Sequence, residues 1–292
     1  MNDPIIQLKE VRKSYGLRLI LDRLSLSVPE GSVFGLLGKN GAGKTTLIKT
    51  ILGLLKPQEG DVYTFRDNPW DFKEATKEKI GYVPQSDVMY PWLKIKEIIA
   101  YSASFYSHWN SELVDQLLKE WELDADDKIG LLSEGQAQKL SIILSLGHEP
   151  ELLIFDEPVA SLDPYARRQF LKTILNLVSN RSCTIFFSTH ITSDLERVAD
   201  HVALLKDGNI DFSGELDRLK DEVKRLHVTF RKDFNNDFNF KGLLHFESLK
   251  NEAIFSVRSF TPGMKTFIEE KLNAKVTVQD LNLEEIFLEL TR

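Results

Sequence analysis

Gly38-Lys39-Asn40-Gly41-Ala42-Gly43-Lys44-Thr45 fits the spacing G-x-x-x-x-G-K-[ST], and its flanks give that spacing a mechanism. Val33-Phe34-Gly35-Leu36-Leu37 before it is an apolar run that predicts a buried strand. Thr46-Leu47-Ile48-Lys49-Thr50-Ile51-Leu52 after it carries apolar residues at helical steps. Strand, glycine loop and helix are together the setting of a phosphate-binding loop. The glycines Gly38, Gly41 and Gly43 let the backbone wrap closely around a phosphate. The amides running through Asn40, Ala42 and Thr46 into the helix supply donors and the positive end of a dipole. Lys44 adds a point charge for the β- and γ-phosphates, and the Thr45 hydroxyl is placed to ligate Mg²⁺.

Outward from this loop, the first sixty-five residues read as strands: Ile5 to Val11, Leu17 to Leu21, Leu24 to Val28, the Val33 run, and Asp61 to Phe65. From Lys94 to about Glu149 the pattern turns helical, as in Leu113, Leu117, Leu118 and Trp121. Buried strand runs return at Leu152 to Phe155, Thr184 to Ser188 and Val202 to Leu205, alternating with helices at Pro164 to Val178 and Ser193 to Val198. This alternation predicts an α/β fold: a phosphate-loop NTPase with a mostly parallel sheet, an antiparallel β subdomain and a helical insertion at about 86–150. A charged helix is expected at Glu215 to Lys224. Past it, strands at Leu226 to Phe230, Leu243 to Phe246, Ala253 to Val257 and Ala274 to Val278, with helices at Pro262 to Leu272 and Leu283 to Leu290, read as a small α+β appendage. The expected division is 1–220 for the ATPase domain and 221–292 for the appendage.

At 292 residues, 42% hydrophobic and 28% charged, the chain has the composition of an ordinary folded domain with room for one addition. The net charge of −7 argues against a dedicated nucleic-acid binder, so no nucleic-acid partner is expected. A single cysteine, Cys183, excludes an intramolecular disulfide or a thiolate zinc site and reads as a small buried strand residue. Met1-Asn2-Asp3-Pro4 has no basic-then-apolar leader, and no apolar run reaches the length of a membrane span. The expected location is the cytoplasm, with any membrane role supplied by a partner.

Leu152-Leu153-Ile154-Phe155-Asp156-Glu157 is an apolar strand that ends in two carboxylates. Beside a phosphate loop, that is where Mg²⁺ needs a hard oxygen ligand, which assigns Asp156 to the metal. Glu157 is then placed to polarise the water that attacks the γ-phosphate.

These segments resemble an ABC transporter ATPase subunit over roughly Ile5 to Gly214, and further motifs follow in that family's order. Leu132-Ser133-Glu134-Gly135-Gln136 is similar to the family's signature sequence. Tyr15, in Lys13-Ser14-Tyr15-Gly16, matches the aromatic residue that stacks on adenine. Gln85, in Gly81-Tyr82-Val83-Pro84-Gln85, matches a glutamine that touches Mg²⁺ or water and reports to the membrane partner. Asp163, in Ser161-Leu162-Asp163, matches a loop that crosses the subunit interface, and His190 matches a histidine that contacts the γ-phosphate. Alone, Tyr15 reads as packing and His190 as a strand-end residue satisfied by backbone. Ser133 and Gln136 also form a helix capping box, which leaves the helix N-terminus as an anion site.

The resemblance implies ATP and Mg²⁺ as cofactors. Lys44, Thr45, Gln85 and Asp156 would hold Mg-ATP, and Ser133, Gly135 and Gln136 of a second subunit would close over the γ-phosphate. Glu157, His190, Gln85 and Lys44 would carry catalysis. The implied partners are a second ATPase subunit, in a homodimer or a heterodimer, and integral membrane permease subunits that hold the chain on the inner face of the membrane. Glu134 departs from the family pattern, which has glycine there; its carboxylate either repels the nucleotide or points away and supports the helix N-terminus, and the second is preferred. Tyr101, Phe105, Tyr106, Trp109 and Trp121 are expected to be mostly core, with a few exposed near Tyr90-Pro91-Trp92 for a permease helix. Leu281-Asn282-Leu283-Glu284-Glu285-Ile286-Phe287-Leu288-Glu289-Leu290 resembles the end of ATPases that serve ABC-2-type export permeases, and Phe105 to Asn110 is similar to a Gram-positive acetoin-utilisation or antibiotic-response subgroup. A soluble ABC factor would carry two phosphate loops, and a chromosome ATPase a long coiled coil; a regulatory ATP-binding module stays open through Glu134.

Overall fold

The computed structural model describes residues 3–85, 90–181, 183–230, 238–249 and 251–292. The chain divides into two compact units: Met1–Ile191 with His201–Ser213, and Thr192–Asp200 with Gly214–Arg292.

In the first unit, Ile6–Tyr15 (β1) and Arg18–Val28 (β2) form a hairpin. Val33–Leu37 (β3) leads through the glycine loop into Lys44–Ile51 (α1), and Glu59–Thr64 (β4) returns to pair with β1. The result is an antiparallel sheet in the order β2-β1-β4. Sequence patterning splits β2 in two, because Asp22 and Arg23 interrupt its apolar run. The structure keeps one strand and absorbs the interruption as a bulge, with Arg23 at φ 48° and the pairing jumping from Val11↔Leu24 to Lys13↔Leu21.

Glu74–Lys77 (α2) precedes Ile80–Val83 (β5), a strand that the sequence shows only as part of a motif. The helical insertion contributes Ile95–Ala103 (α3), Ser111–Glu120 (α4) and Glu134–Leu146 (α5); its expected first residues, 86–89, lie outside the described residues. Leu152–Asp156 (β6), Pro164–Arg181 (α6) and Thr184–Thr189 (β7) follow. After Thr192–Val198 (α7), the strands His201–Lys206 (β8) and Asn209–Glu215 (β9) complete a six-stranded sheet in the order β5-β6-β7-β3-β8-β9.

The central core lies where α1 is sandwiched. Leu47, Ile48 and Ile51 pack with Ile6, Leu8, Leu26 and Val62 of the antiparallel sheet and with Phe34, Leu36, Ile154 and Phe186 of the six-stranded one. This packing fixes the helix whose first turn carries Lys44. Ile48→Ala is expected to cost about 2–4 kcal/mol by urea denaturation, through lost transfer energy plus a cavity.

The second unit takes in α7, Leu216–Glu222 (α8), the strands Lys224–Phe230 (β10), Leu243–Leu249 (β11), Glu252–Val257 (β12) and Ala274–Asp280 (β13), and the helices Pro262–Leu272 (α9) and Leu283–Thr291 (α10). Its sheet order is β11-β12-β10-β13. Leu226, Val228, Phe230, Phe255, Val276 and Ile268 form its apolar core, the strand residues alternating at a step of two. The intervening strand residue Arg225 instead grips α10, through Glu285 at 3.0 Å and Glu289 at 2.7 Å. Burial pushes the Glu289 carboxyl up, but hydrogen bonds from Arg225 and Ser256 and the nearby His245 outweigh it, and the net shift is downward.

Two boundaries differ from the sequence expectation. The second unit begins at Gly214 rather than 221 and takes in α7, because α7 packs on α10, with the Leu283 amide donating to Glu196 at 3.3 Å. The charged helix is shorter than expected, because Lys224 already belongs to β10.

Candidate functional site

Strand order assembles the site. β5, β6, β7 and β3 are consecutive parallel neighbours, so their C-terminal ends share one sheet edge. Gln85 follows β5, Asp156 ends β6 with Glu157 next, and His190 follows β7. The glycine loop follows β3. A crevice outside the carboxyl ends of parallel strands is where α/β sheets bind ligands.

Two glycines of the loop are required by backbone geometry, Gly41 at φ 81° and Gly43 at φ 107°. Gly43 stands at the N-cap of α1, and a side chain there would also meet Ile20. Gly38 is required by close approach instead: a Cβ would lie 2.9 Å from the Leu205 carbonyl oxygen.

Lys44 Nζ donates to the Gly38 carbonyl at 2.8 Å and lies 3.1 Å from Glu157 Oε1. Both residues are only 6% exposed, so this is a buried ion pair at the mouth of the phosphate loop. The other Glu157 oxygen accepts from the His190 amide at 3.3 Å and lies 2.8 Å from His190 Nδ1. Glu157 itself sits at φ 54°, a conformation that strains a residue with a side chain, and its amide donates to the Ser188 carbonyl and hydroxyl.

Asp156 is fully buried. Its Oδ1 accepts from the Ser188 hydroxyl at 2.6 Å, following the Asp156↔Ser188 register, while Oδ2 has no hydrogen-bond partner among the described residues. A buried carboxylate oxygen left open carries a large desolvation cost unless a cation or its waters meet it. Among the described residues no group of three or more His, Cys, Asp and Glu side chains could hold a metal, so any cation here would rest on few protein ligands.

A cavity of about 470 Å³ gathers many of the residues singled out from the sequence: Asn40, Gly41, Gly43, Lys44, Thr45 and Thr46 of the loop, with Tyr15, Gln85, Glu157 and His190 around it. Gly38, Ala42 and Asp156 do not line it. Ser133, Gly135, Gln136 and Asp163 are not part of this cavity. Ser133 accepts from the Gln136 amide at 3.2 Å, and Gln136 Oε1 accepts from the Ser133 amide at 2.9 Å, the reciprocal capping box of α5. Asp163 caps α6: its Oδ1 accepts from the Ala166 and Tyr165 amides at 3.0 and 2.8 Å, and those bonds lower its pKa.

Sequence reasoning missed Arg18 and Ile20, which line the same cavity. The signal was available, because Tyr15 and Arg18 are register partners across the Gly16 turn. An aromatic residue aimed at the site from one hairpin strand brings its cross-strand neighbour along. Of the insertion aromatics expected to be mostly core, Trp121 is buried and Tyr106 and Trp109 are half-buried, while Tyr101 and Phe105 are exposed, beside the exposed Tyr90 and Trp92.

Strand, phosphate loop, helix and an acidic strand end define a phosphate-loop nucleotide hydrolase. The family profile described as ABC transporter matches residues 21–160. The chain is 31% identical to the bacitracin transport ATP-binding protein BcrA of Bacillus licheniformis, covering 98% of this chain and 97% of that protein. It is 32% identical to the Nod factor export ATP-binding protein I of Bradyrhizobium diazoefficiens, covering 100% and 97%. Among solved structures, it is similar to an ATP-binding subunit of an ABC transporter (29% identity, TM-score 0.68, 74% and 92% covered). It is also similar to a dimeric post-hydrolysis ATP-binding cassette, MJ0796, bound to ADP and Pi (27%, TM-score 0.65, 72% and 98%). This chain belongs to the ABC transporter family, as an ATP-binding subunit with ATPase activity. No helix among its described residues is long and apolar enough to cross a membrane.

Proposed function

We propose that the chain drives an ABC exporter as one of two ATPase subunits, each closing the N-terminus of α5 over nucleotide held by the other. The observation that carries this reading is the convergence on one sheet edge of Lys44, Glu157, His190 and the partnerless Asp156 oxygen, beside a glycine loop that opens a helix. The open Asp156 Oδ2 fits a hard divalent cation with its waters, so Asp156, Thr45 and Gln85 would hold Mg²⁺. Bound there, the ion would neutralise the charge that develops on the phosphate oxygens.

In the site as it stands, Lys44 and Glu157 satisfy each other. An entering triphosphate takes Lys44, with Tyr15 under the adenine and Arg18 over the phosphates. Glu157, released from Lys44 and still oriented by His190, then accepts a proton from the attacking water. The water oxygen bonds to the γ-phosphorus as the bond to the bridging oxygen breaks, and ADP and phosphate leave. The Ser133 hydroxyl accepts from Gln136 and keeps its own proton to donate, while the Gly135 amide lies in the free first turn of α5; both would face the second subunit's γ-phosphate.

The export direction is supported by the name of the Nod factor export relative. Contact with a permease is supported by an exposed aromatic ladder, Tyr90–Trp92, Tyr90–Tyr101 and Tyr101–Phe105, with ring centroids 5.4, 5.9 and 5.0 Å apart. It borders a cavity of about 330 Å³ that also involves Tyr82 of β5, the strand that leads to Gln85. Such a surface suits an apolar helix presented by a membrane subunit on the inner face of the membrane. Detergent extraction of cells expressing a tagged chain tests the assembly. The expected result is stoichiometric recovery of a polytopic membrane protein; quantitative recovery from the soluble fraction, with ATPase activity and no membrane chain, would contradict it.

A further inference from the structure

The Glu134 side chain is exposed, yet its carboxylate is engaged within the chain. Its Oε1 accepts from the Ser161 hydroxyl at 2.5 Å. The backbones meet at the same point, since a Cβ on Gly135 would lie 3.1 Å from the Ser161 carbonyl oxygen. The first turn of α5 therefore rests on the loop between Glu157 and Asp163.

That loop is built to act as one piece. The Ala160 amide donates to the Glu157 carbonyl, the Leu162 amide donates to the Val159 carbonyl, and Asp163 caps α6. Val159 and Leu162 are buried and anchor it. A displacement of Ser161 is therefore felt four residues back at Glu157, whose φ 54° backbone has few alternative conformations.

We propose that Glu134 is a positioning residue: by holding Ser161 it makes the α5 N-terminus and the Glu157 loop of the same chain move together, so that closure of α5 on the second subunit's nucleotide sets the Glu157 of its own site. The inference rests on the two-subunit reading above. It also gives the acidic departure from the family signature a use, as the acceptor that ties α5 to Ser161.

Steady-state hydrolysis against ATP concentration, on the full chain, tests it with Glu134→Ala, Ser161→Ala, the double variant and Glu134→Gln. ATP binding by each variant is measured at a protein concentration at which light scattering finds a monomer. Each alanine variant is expected to lower kcat about three- to fivefold and to flatten the ATP response, with monomer ATP affinity unchanged. The double variant is expected to be no worse than either single one, because both remove one shared bond. Glu134→Gln keeps an acceptor oxygen and is expected to stay within about twofold of wild type. Additive losses in the double variant, or a glutamine variant as slow as the alanine one, would overturn the latch. So would tighter ATP binding in Glu134→Ala at unchanged kcat, the result of simple charge repulsion. Glu157→Gln run alongside separates the two levels: if ATP fails to dimerise it, closure on a second copy of this chain falls, and the inference tested on this chain alone falls with it.

Discussion

Glu157→Gln is expected to lower ATP turnover by about 10²–10⁴-fold while tightening ATP binding. The two effects have different origins in one side chain. Turnover falls because an amide cannot accept the proton of the attacking water, although glutamine still fits beside His190. Binding improves because Glu157 competes with the nucleotide for Lys44: its Oε1 lies 3.1 Å from Nζ, and both groups are buried, where charge pairing is weakly screened. Replacing the carboxylate by a neutral amide removes the charge opposite Lys44 and leaves it neutral acceptors, the amide oxygen and the Gly38 and Lys39 carbonyls. A phosphate then meets less competition, and the gain is expected to be about three- to tenfold in Kd. Single-turnover kinetics and equilibrium titration with a fluorescent ATP analogue separate these effects. A slow variant with weakened binding would mean that Glu157 builds the nucleotide site rather than guarding it.

Lys44→Ala is expected to weaken ATP binding by about 100-fold or more. The substitution removes the point charge aimed at the phosphates and also uncovers Glu157. With Lys44 gone, the buried Glu157 carboxylate keeps, among the described residues, the contacts from His190, and an uncompensated carboxylate at the mouth of the loop repels the incoming tetraanion. The double variant Lys44→Ala/Glu157→Gln isolates that second component. It is expected to recover part of the lost affinity, and calorimetric titration measures how much. No recovery would show that Glu157 contributes nothing to the anion balance of the site.

The sequence carried the parts of the fold that rest on burial. Fully buried parallel strands read as unbroken apolar runs, which is why β3, β6 and β7 are evident in Val33–Leu37, Leu152–Asp156 and Thr184–Thr189. β5 is harder to see because Gly81 sits in its middle. The glycine is there for packing: a Cβ would lie 2.6 Å from Leu153 and from the Ser145 carbonyl. The bulge in β2 is hidden for a related reason, since Asp22 and Arg23 look like a turn and only the partner strand shows that they are not.

At the site, motif spacing identified the residues but not the bonds among them. The Lys44–Glu157 pair joins positions 113 apart in sequence, and the Glu134–Ser161 bond joins two separate motifs. Neither leaves a periodic trace, because each arises from strand order and loop path rather than from local spacing. Arg18 was legible only once Tyr15 had been placed on a hairpin with a known register.

The most direct measurement of the central claim is the solution mass of wild type and Glu157→Gln by light scattering, with ATP and with ADP. ATP buried between two phosphate loops and two α5 N-termini predicts a Glu157→Gln dimer in ATP, a monomer in ADP, and a wild-type chain that returns to monomer as it hydrolyses its ATP. A Glu157→Gln chain that binds ATP with full occupancy and remains monomeric would contradict closure on a second copy of this chain.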